Sequence, residues 1–244
     1  MKPRSSNQRN HAWTLVEVLV VITVLVILAA ILLPVLAKAK RGGSHIACVN
    51  IVKQICLSSL VWAHDHNGKF PMEVSMAEGG TKELAVTGEA IATFQVMSNE
   101  LVTPKVLICP EDMDHFFATN FSTAFSAKNI SYFIGLDAST NFPQAFLCGD
   151  DNFEITGIPV KPGLLELPAN SSVSWTFGRH TTYKRHFWNA ATSFGNVGLA
   201  DGSVQQTTIS SRTNLVELST GVVTTSLTSM LRATGLATNR LALP

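Results

Sequence analysis

The sequence predicts an α+β protein in which a long N-terminal transmembrane and stalk helix packs on a small antiparallel sheet. Three observations lead there. From Val18 to Ala37 only Thr23 and Pro34 interrupt an aliphatic run, which is long enough to cross a bilayer as a helix. Residues 44–66, SHIACVNIVKQICLSSLVWAHDH, then recover helical periodicity, and Asn67-Gly68 stops it. Beyond Gly68 the signals turn short and mixed, with several apolar segments bounded by Gly, Pro, Asn and Asp.

The helix is preceded by a short basic leader, MKPRSSNQRNHA. A secretory signal peptide would carry an apolar core of about 7–15 residues before a small-x-small site. Ala37-Lys38-Ala39 offers such a site, but the apolar stretch is longer than that, so the sequence favours a retained span. Glu17 lies at the mouth of the run. A carboxylate at the centre of a membrane helix costs roughly 2.5–3.5 kcal/mol on insertion scales, so such a residue usually has a partner. Three basic residues precede the span (Lys2, Arg4, Arg9) and three follow it (Lys38, Lys40, Arg41). The positive-inside rule is therefore silent on orientation. Pro34 removes a backbone donor and predicts a kink, and Gly42-Gly43 is a second weak point.

On the following stretch Ile46, Val49, Val52 or Lys53, Cys56, Leu60 and Ala63 fall near one face, with Ile55 and Val61 beside it. Lys69-Phe70-Pro71 reads as a loop, Glu89–Leu101 as a helix ending before Pro104, and Lys105–Pro110 as a short strand stopped by proline. Ser131–Leu136, Phe146–Cys148 and Ser172–Phe177 read as strands. Val197–Gln205 reads as a hairpin with a type I′ turn at Asp201-Gly202, and Val222–Thr234 as a closing helix. Residues 72–88, 112–128 and 149–171 read as irregular. The division expected is residues 1–12 as leader, 13–66 as transmembrane and stalk helix, and 67–244 as a globular α+β domain.

The 244 residues carry 18 Lys+Arg against 17 Asp+Glu. Without the leader, fifteen basic residues face seventeen acidic ones. No basic stripe remains, which excludes nucleic acid as the expected partner. Four cysteines, Cys48, Cys56, Cys109 and Cys148, match no zinc spacing. Cys48 and Cys56 lie eight apart on one helix, roughly 12 Å along its axis, too far to bridge each other. Cys109 with Cys148 and Cys48 with Cys109 are the candidate disulfides, and buried free thiols stand equally beside them.

Catalytic patterns are missing: there is no Gly-x-Ser-x-Gly and no His-Glu-x-x-His. Arg179-His180 and Arg185-His186-Phe187-Trp188 line either a site or a protein interface. His64 and His66 leave a helix end in different directions, a poor chelate. Glu111-Asp112, Asp114 and Asp150-Asp151 supply the oxygens calcium takes, without an Asp-x-Asp-x-Asp loop. Neither an enzyme nor a cofactor is expected.

Ala12-Trp13-Thr14-Leu15-Val16-Glu17-Val18 resembles the type IV prepilin motif, usually a small residue followed by Phe-Thr-Leu-Ile-Glu-Leu. The resemblance implies that a prepilin peptidase on the cytoplasmic side cuts between Ala12 and Trp13 and methylates the new amine of Trp13. Glu17 then occupies the family's characteristic glutamate position, where it could pair with the amine of a neighbouring subunit and offset the cost of burying either charge alone. Ala12 replaces the commoner Gly, and Trp13 replaces Phe.

Asn50, Lys53-Gln54-Ile55, Asp65, Asn67-Gly68 and Phe70-Pro71 resemble the stalk of pseudopilin-like proteins common in planctomycetes and verrucomicrobia. That group often carries an H-x9-DG element. Asp201-Gly202 matches its end, but fourteen residues separate His186 from Asp201. Some pseudopilins hold calcium in a loop, which keeps calcium as the one cofactor to weigh.

The function implied is a pseudopilin or pilin-like structural subunit of a type II secretion pseudopilus or type IV pilus-like filament. Its implied partners are prepilin peptidase, other pseudopilin subunits, the inner membrane and a secretion assembly platform, with the globular domain in the periplasm. The alternative is a membrane-anchored periplasmic domain that binds a ligand or hydrolyses one.

Overall fold

Helix α1 (Leu15–Asp65) carries both halves of the expected N-terminal element. A computed structural model describes residues 14–110, 112, 114–122, 124–155, 158–169, 171, 173–175, 194–208 and 225–244. The chain divides into two compact units, residues 1–43 and 44–244.

In the first unit, Leu15–Leu36 is a 22-residue stretch of mean hydropathy 3.3 with none of it buried. Its interior polar side chain is satisfied locally: the Thr23 hydroxyl donates back to the carbonyls of Leu19 and Val20 (3.1 and 2.8 Å). A hydroxyl bonded to its own helix backbone needs no external partner, so the run remains compatible with hydrocarbon. Pro34 lies inside the helix.

In the second unit, α1 is a core helix. Cys48, Val52, Ile55, Cys56, Ser59, Trp62 and Ala63 are buried, the three- and four-residue spacing of one helical face. This face is turned slightly from the expected one, because Ile46 and Val61 are more than half exposed. Trp62, the largest side chain of the segment, and the bridged Cys48 take the interior instead.

The helix meets a seven-stranded sheet. Its strands are β1 (Tyr132–Gly135), β2 (Phe146–Asp150), β5 (Gly163–Pro168), β7 (Phe194–Leu199), β8 (Val204–Thr208), β9 (Thr225–Ser226) and β10 (Thr238–Leu243). They lie in the order β5-β10-β1-β2-β7-β8-β9, with β8–β9 the parallel pair and the other neighbours antiparallel. A second sheet joins β3 (Phe153–Ile155), β4 (Ile158–Pro159) and β6 (Val173–Trp175) in the order β4-β3-β6.

The central strands are covered on both faces. Tyr132 and Ile134 join the α1 core, while Phe133 points into a second cluster with Met230 and Leu231 of α5 (Leu227–Ala233). That alternation is the pleat of a strand. In β2 the alternation fails, since Leu147 and Cys148 both belong to the α1 core. A register shift between Phe146 and Cys148 opposite β7 explains it, because a β-bulge adds a residue and re-aims the side chains after it.

Several expectations are corrected. Lys105–Pro110 is not a strand: Pro104–Leu107 forms a 3-10 turn. Pro104 supplies a preset helical φ at its first turn, and the Thr103 hydroxyl accepts from the Lys105 amide. Residues 72–88, expected to be irregular, hold the short helix α2 (Lys82–Ala85), and the expected helix Glu89–Leu101 is two, α3 (Ala90–Val96) and α4 (Ser98–Leu101), separated at Met97. Residues 149–171 hold β3, β4 and β5, and the C-terminal strand β10 fills the place between β5 and β1. The closing helix is shorter than Val222–Thr234, with β9 running into α5. Of the expected strand Ser172–Phe177 the structure describes residues 173–175.

The hairpin is present, but its turn is not type I′. That turn requires positive φ at both central residues, and Gly202 (φ 81°) has it while Asp201 does not. Leu199 instead donates to the Ser203 carbonyl (2.9 Å) and Gly202 donates to the Leu199 carbonyl (2.8 Å), enclosing the three-residue loop Ala200-Asp201-Gly202.

The disulfide is Cys48–Cys109, with Cα atoms 5.5 Å apart, inside the usual span. The candidate pair Cys109–Cys148 is overturned. The bulged β2 turns Cys148 toward α1, where its sulfur lies 3.5 Å from that of Cys56. Cys109, following the 3-10 turn, lies at Cys48. Gly198 of β7 leaves room for the sulfur pair: a Cβ there would collide with Cys56 Sγ and come within 3.1 Å of Cys148 Sγ and Val52 Cγ1. Gly198→Ala is therefore expected to lower stability by about 1–3 kcal/mol through overpacking, read as a lower urea midpoint; an unchanged midpoint would refute the close fit.

Candidate functional site

A helix that begins in or near hydrocarbon has a local problem. Its first N–H groups have no intrahelical partner, and lipid offers none. The sequence Thr14-Leu15-Val16-Glu17 solves part of it. The Glu17 carboxylate accepts from the Thr14 amide and from the Thr14 hydroxyl, both 2.8 Å to Oε2. In return the Thr14 hydroxyl oxygen accepts from the Glu17 amide (3.2 Å). This reciprocal arrangement is a capping box. The negative group also sits at the positive end of the helix dipole. Oε1 takes part in neither bond.

Glu17 is thus held in a fixed position by its own helix turn, with its side chain exposed. Thr14 is the capping residue, a role not assigned to it from the sequence. The signal was available, since Thr-x-x-Glu ahead of an apolar run is the capping-box signature. Ala12 and Trp13 lie outside the described residues.

The Asp201-Gly202 element acts structurally. Asp201 Oδ1 accepts from the Ser203 amide (2.8 Å), closing the loop. The loop is tied to the residues before β2 by Ala200 N–H to the Ala145 carbonyl and Asp201 N–H to the Pro143 carbonyl (2.9 and 3.2 Å). Lys53 Nζ of α1 donates to the Gly202 carbonyl, and a Cβ on Gly202 would press Leu60 Cδ1 at 2.7 Å. The turn therefore clamps the stalk end of α1 to the β7–β8 hairpin. His186, Arg179, His180, Arg185, Phe187 and Trp188 lie outside the described residues.

The acidic candidates are spread over several protein partners. Asp112 Oδ2 meets His115 Nδ1 at 2.6 Å. Asp150 Oδ2 accepts from the Asn196 backbone amide and side-chain amide (2.8 and 2.9 Å). Asp151 is buried and Asp114 exposed, and Glu111 lies outside the described residues. Burial, reinforced by the nearby Asp150 charge, pushes the Tyr132 phenol well above its ordinary range. His66 stacks on Trp62 with ring centroids 3.5 Å apart, and its Nδ1 lies 2.8 Å from the Trp62 carbonyl, while His64 is exposed. The structure does not bring the two histidines together as a chelate. Among the described residues no group of three or more His, Cys, Asp or Glu side chains is placed to hold a metal ion.

No curated protein and no solved structure matches the chain. Residues 7–33 match the family model of the prokaryotic N-terminal methylation motif. That segment contains Ala12, Trp13, Thr14 and Glu17 together with most of the apolar run, so this chain carries a prepilin-like N-terminus, which implies processing by a prepilin peptidase and association with a membrane.

Proposed function

We propose that the chain is a pseudopilin or pilin-like structural subunit whose work is assembly rather than catalysis. The carrying observation is a coincidence at one helix end. The methylation motif, the 22-residue apolar stretch and the capped, exposed Glu17 occupy the same segment. In this reading prepilin peptidase cuts between Ala12 and Trp13 and methylates Trp13. The span holds the subunit in the inner membrane with residues 44–244 in the periplasm. Glu17 then pairs with the amine of a neighbouring subunit as an assembly platform adds it to a type II secretion pseudopilus or a type IV pilus-like filament. No cofactor enters this mechanism.

The test is the intact mass of the full chain after co-expression with a prepilin peptidase. The expected product lacks residues 1–12 and carries one added methyl group on Trp13. An intact Met1 terminus, or cleavage near Ala39, would overturn the reading and leave an anchored or exported domain.

A further inference from the structure

Four cysteines meet on one helix and its partners, and the established bridge uses two of them. Cys56 and Cys148 are both fully buried, their sulfurs 3.5 Å apart, joining α1 to the central strand β2 across 92 residues of sequence. The bulge in β2 turns Cys148 toward the helix, and Gly198 keeps the space around the two sulfurs open. Cys48–Cys109 already bridges the same helix eight residues away. We infer that Cys56 and Cys148 close a second disulfide in the mature protein. The inference rests on the proposed location outside the cytoplasm, where disulfides form and persist.

The distance to be closed is small. A disulfide needs its sulfurs about 2.05 Å apart, so from 3.5 Å each sulfur moves by less than an ångström if the two share the shift. Timing follows from burial. Desolvation, with the hydrogen bond to Cys56, raises the Cys148 thiol well above its ordinary range, and a neutral buried thiol is inert. Oxidation therefore takes place while the strand is docking and the pair is still open to reagent.

The oxidant is a thiol–disulfide oxidoreductase in its disulfide form. The Cys56 thiolate attacks one oxidant sulfur, breaking that disulfide and releasing one oxidant thiolate. The Cys148 thiolate then attacks Cys56 Sγ in the mixed disulfide and expels the second. Two electrons pass from the cysteine pair to the oxidant, and the two cysteine protons end on its two thiols.

The experiment uses the full chain in its native membrane. Cells are quenched in acid, the protein is denatured without reductant in N-ethylmaleimide, and its peptides are mapped by mass. The expected result is no labelled cysteine and a crosslinked peptide pair joining Cys56 to Cys148, alongside Cys48 to Cys109. Labels on Cys56 and Cys148 with Cys48–Cys109 intact would overturn the second bridge alone, leaving a buried dithiol. Labels on all four would overturn it together with the exported location.

Discussion

Glu17→Ala is expected to leave cleavage at Ala12–Trp13 intact and to abolish filament formation. The substitution removes two things at once. One is the capping partner of Thr14, whose loss costs a helix end about 0.5–2 kcal/mol. The other is the negative charge proposed to receive a neighbour's amine, and an amine left unpaired in a low-dielectric layer costs several kcal/mol. Two companion variants separate the effects. Thr14→Ala removes the hydroxyl from the box but keeps the charge, and filaments are expected to persist. Glu17→Gln keeps an acceptor oxygen but loses the charge, and filaments are expected to fail. Filaments are scored by electron microscopy and processing by intact mass. Wild-type filaments from Glu17→Ala would remove the assembly role and leave Glu17 as a cap alone.

Replacing Cys48 and Cys109 together by serine is expected to destabilise the globular unit by about 4 kcal/mol. The bridge spans 61 residues, and the chain-entropy model gives roughly that value for a loop of this length. Typical domains are stable by only about 5–15 kcal/mol, so a loss of this size consumes much of the margin. It is read as a lower urea midpoint for the double variant against wild type. An unchanged midpoint would mean that packing of Val52, Ile55 and Trp62 already fixes the helix without the bridge.

The first half of the fold was legible because its signals are local. The apolar run, the helical periodicity of residues 44–66 and the stop at Asn67-Gly68 each report on residues a few positions apart. The strands Tyr132–Gly135 and Phe146–Asp150 were legible too, being almost uniformly apolar and central. What escaped depends on distant partners. Gly163–Pro168 and Thr238–Leu243 are rich in leucine, with Thr238 their one β-branched residue, so intrinsic preference is weak. They become strands by pairing with each other across some seventy residues. The choice between the two candidate disulfides escaped for the same reason: Cys48–Cys109, which forms, stood beside Cys109–Cys148. Spacing alone admitted Cys109–Cys148, and a one-residue bulge in β2, invisible in the sequence, sent Cys148 to Cys56 instead. At the candidate site, Glu17 was legible by its chemistry, whereas Thr14 needed the geometry to show what its hydroxyl does.

One helix answers to two environments. Between residues 15 and 36 its side chains are exposed and apolar, so a substitution there leaves the buried interior untouched. Between residues 48 and 63 the same helix supplies the interior of its own domain through Val52, Ile55, Cys56 and Trp62. In the second segment the buried positions Val52, Ile55, Cys56 and Trp62 cannot change without changing what packs on them, while Leu57 and Val61 on the other face stay exposed. The change from an exposed apolar stretch to a buried face falls inside one helix, between Leu36 and Cys48, well ahead of the Asn67-Gly68 turn that ends it.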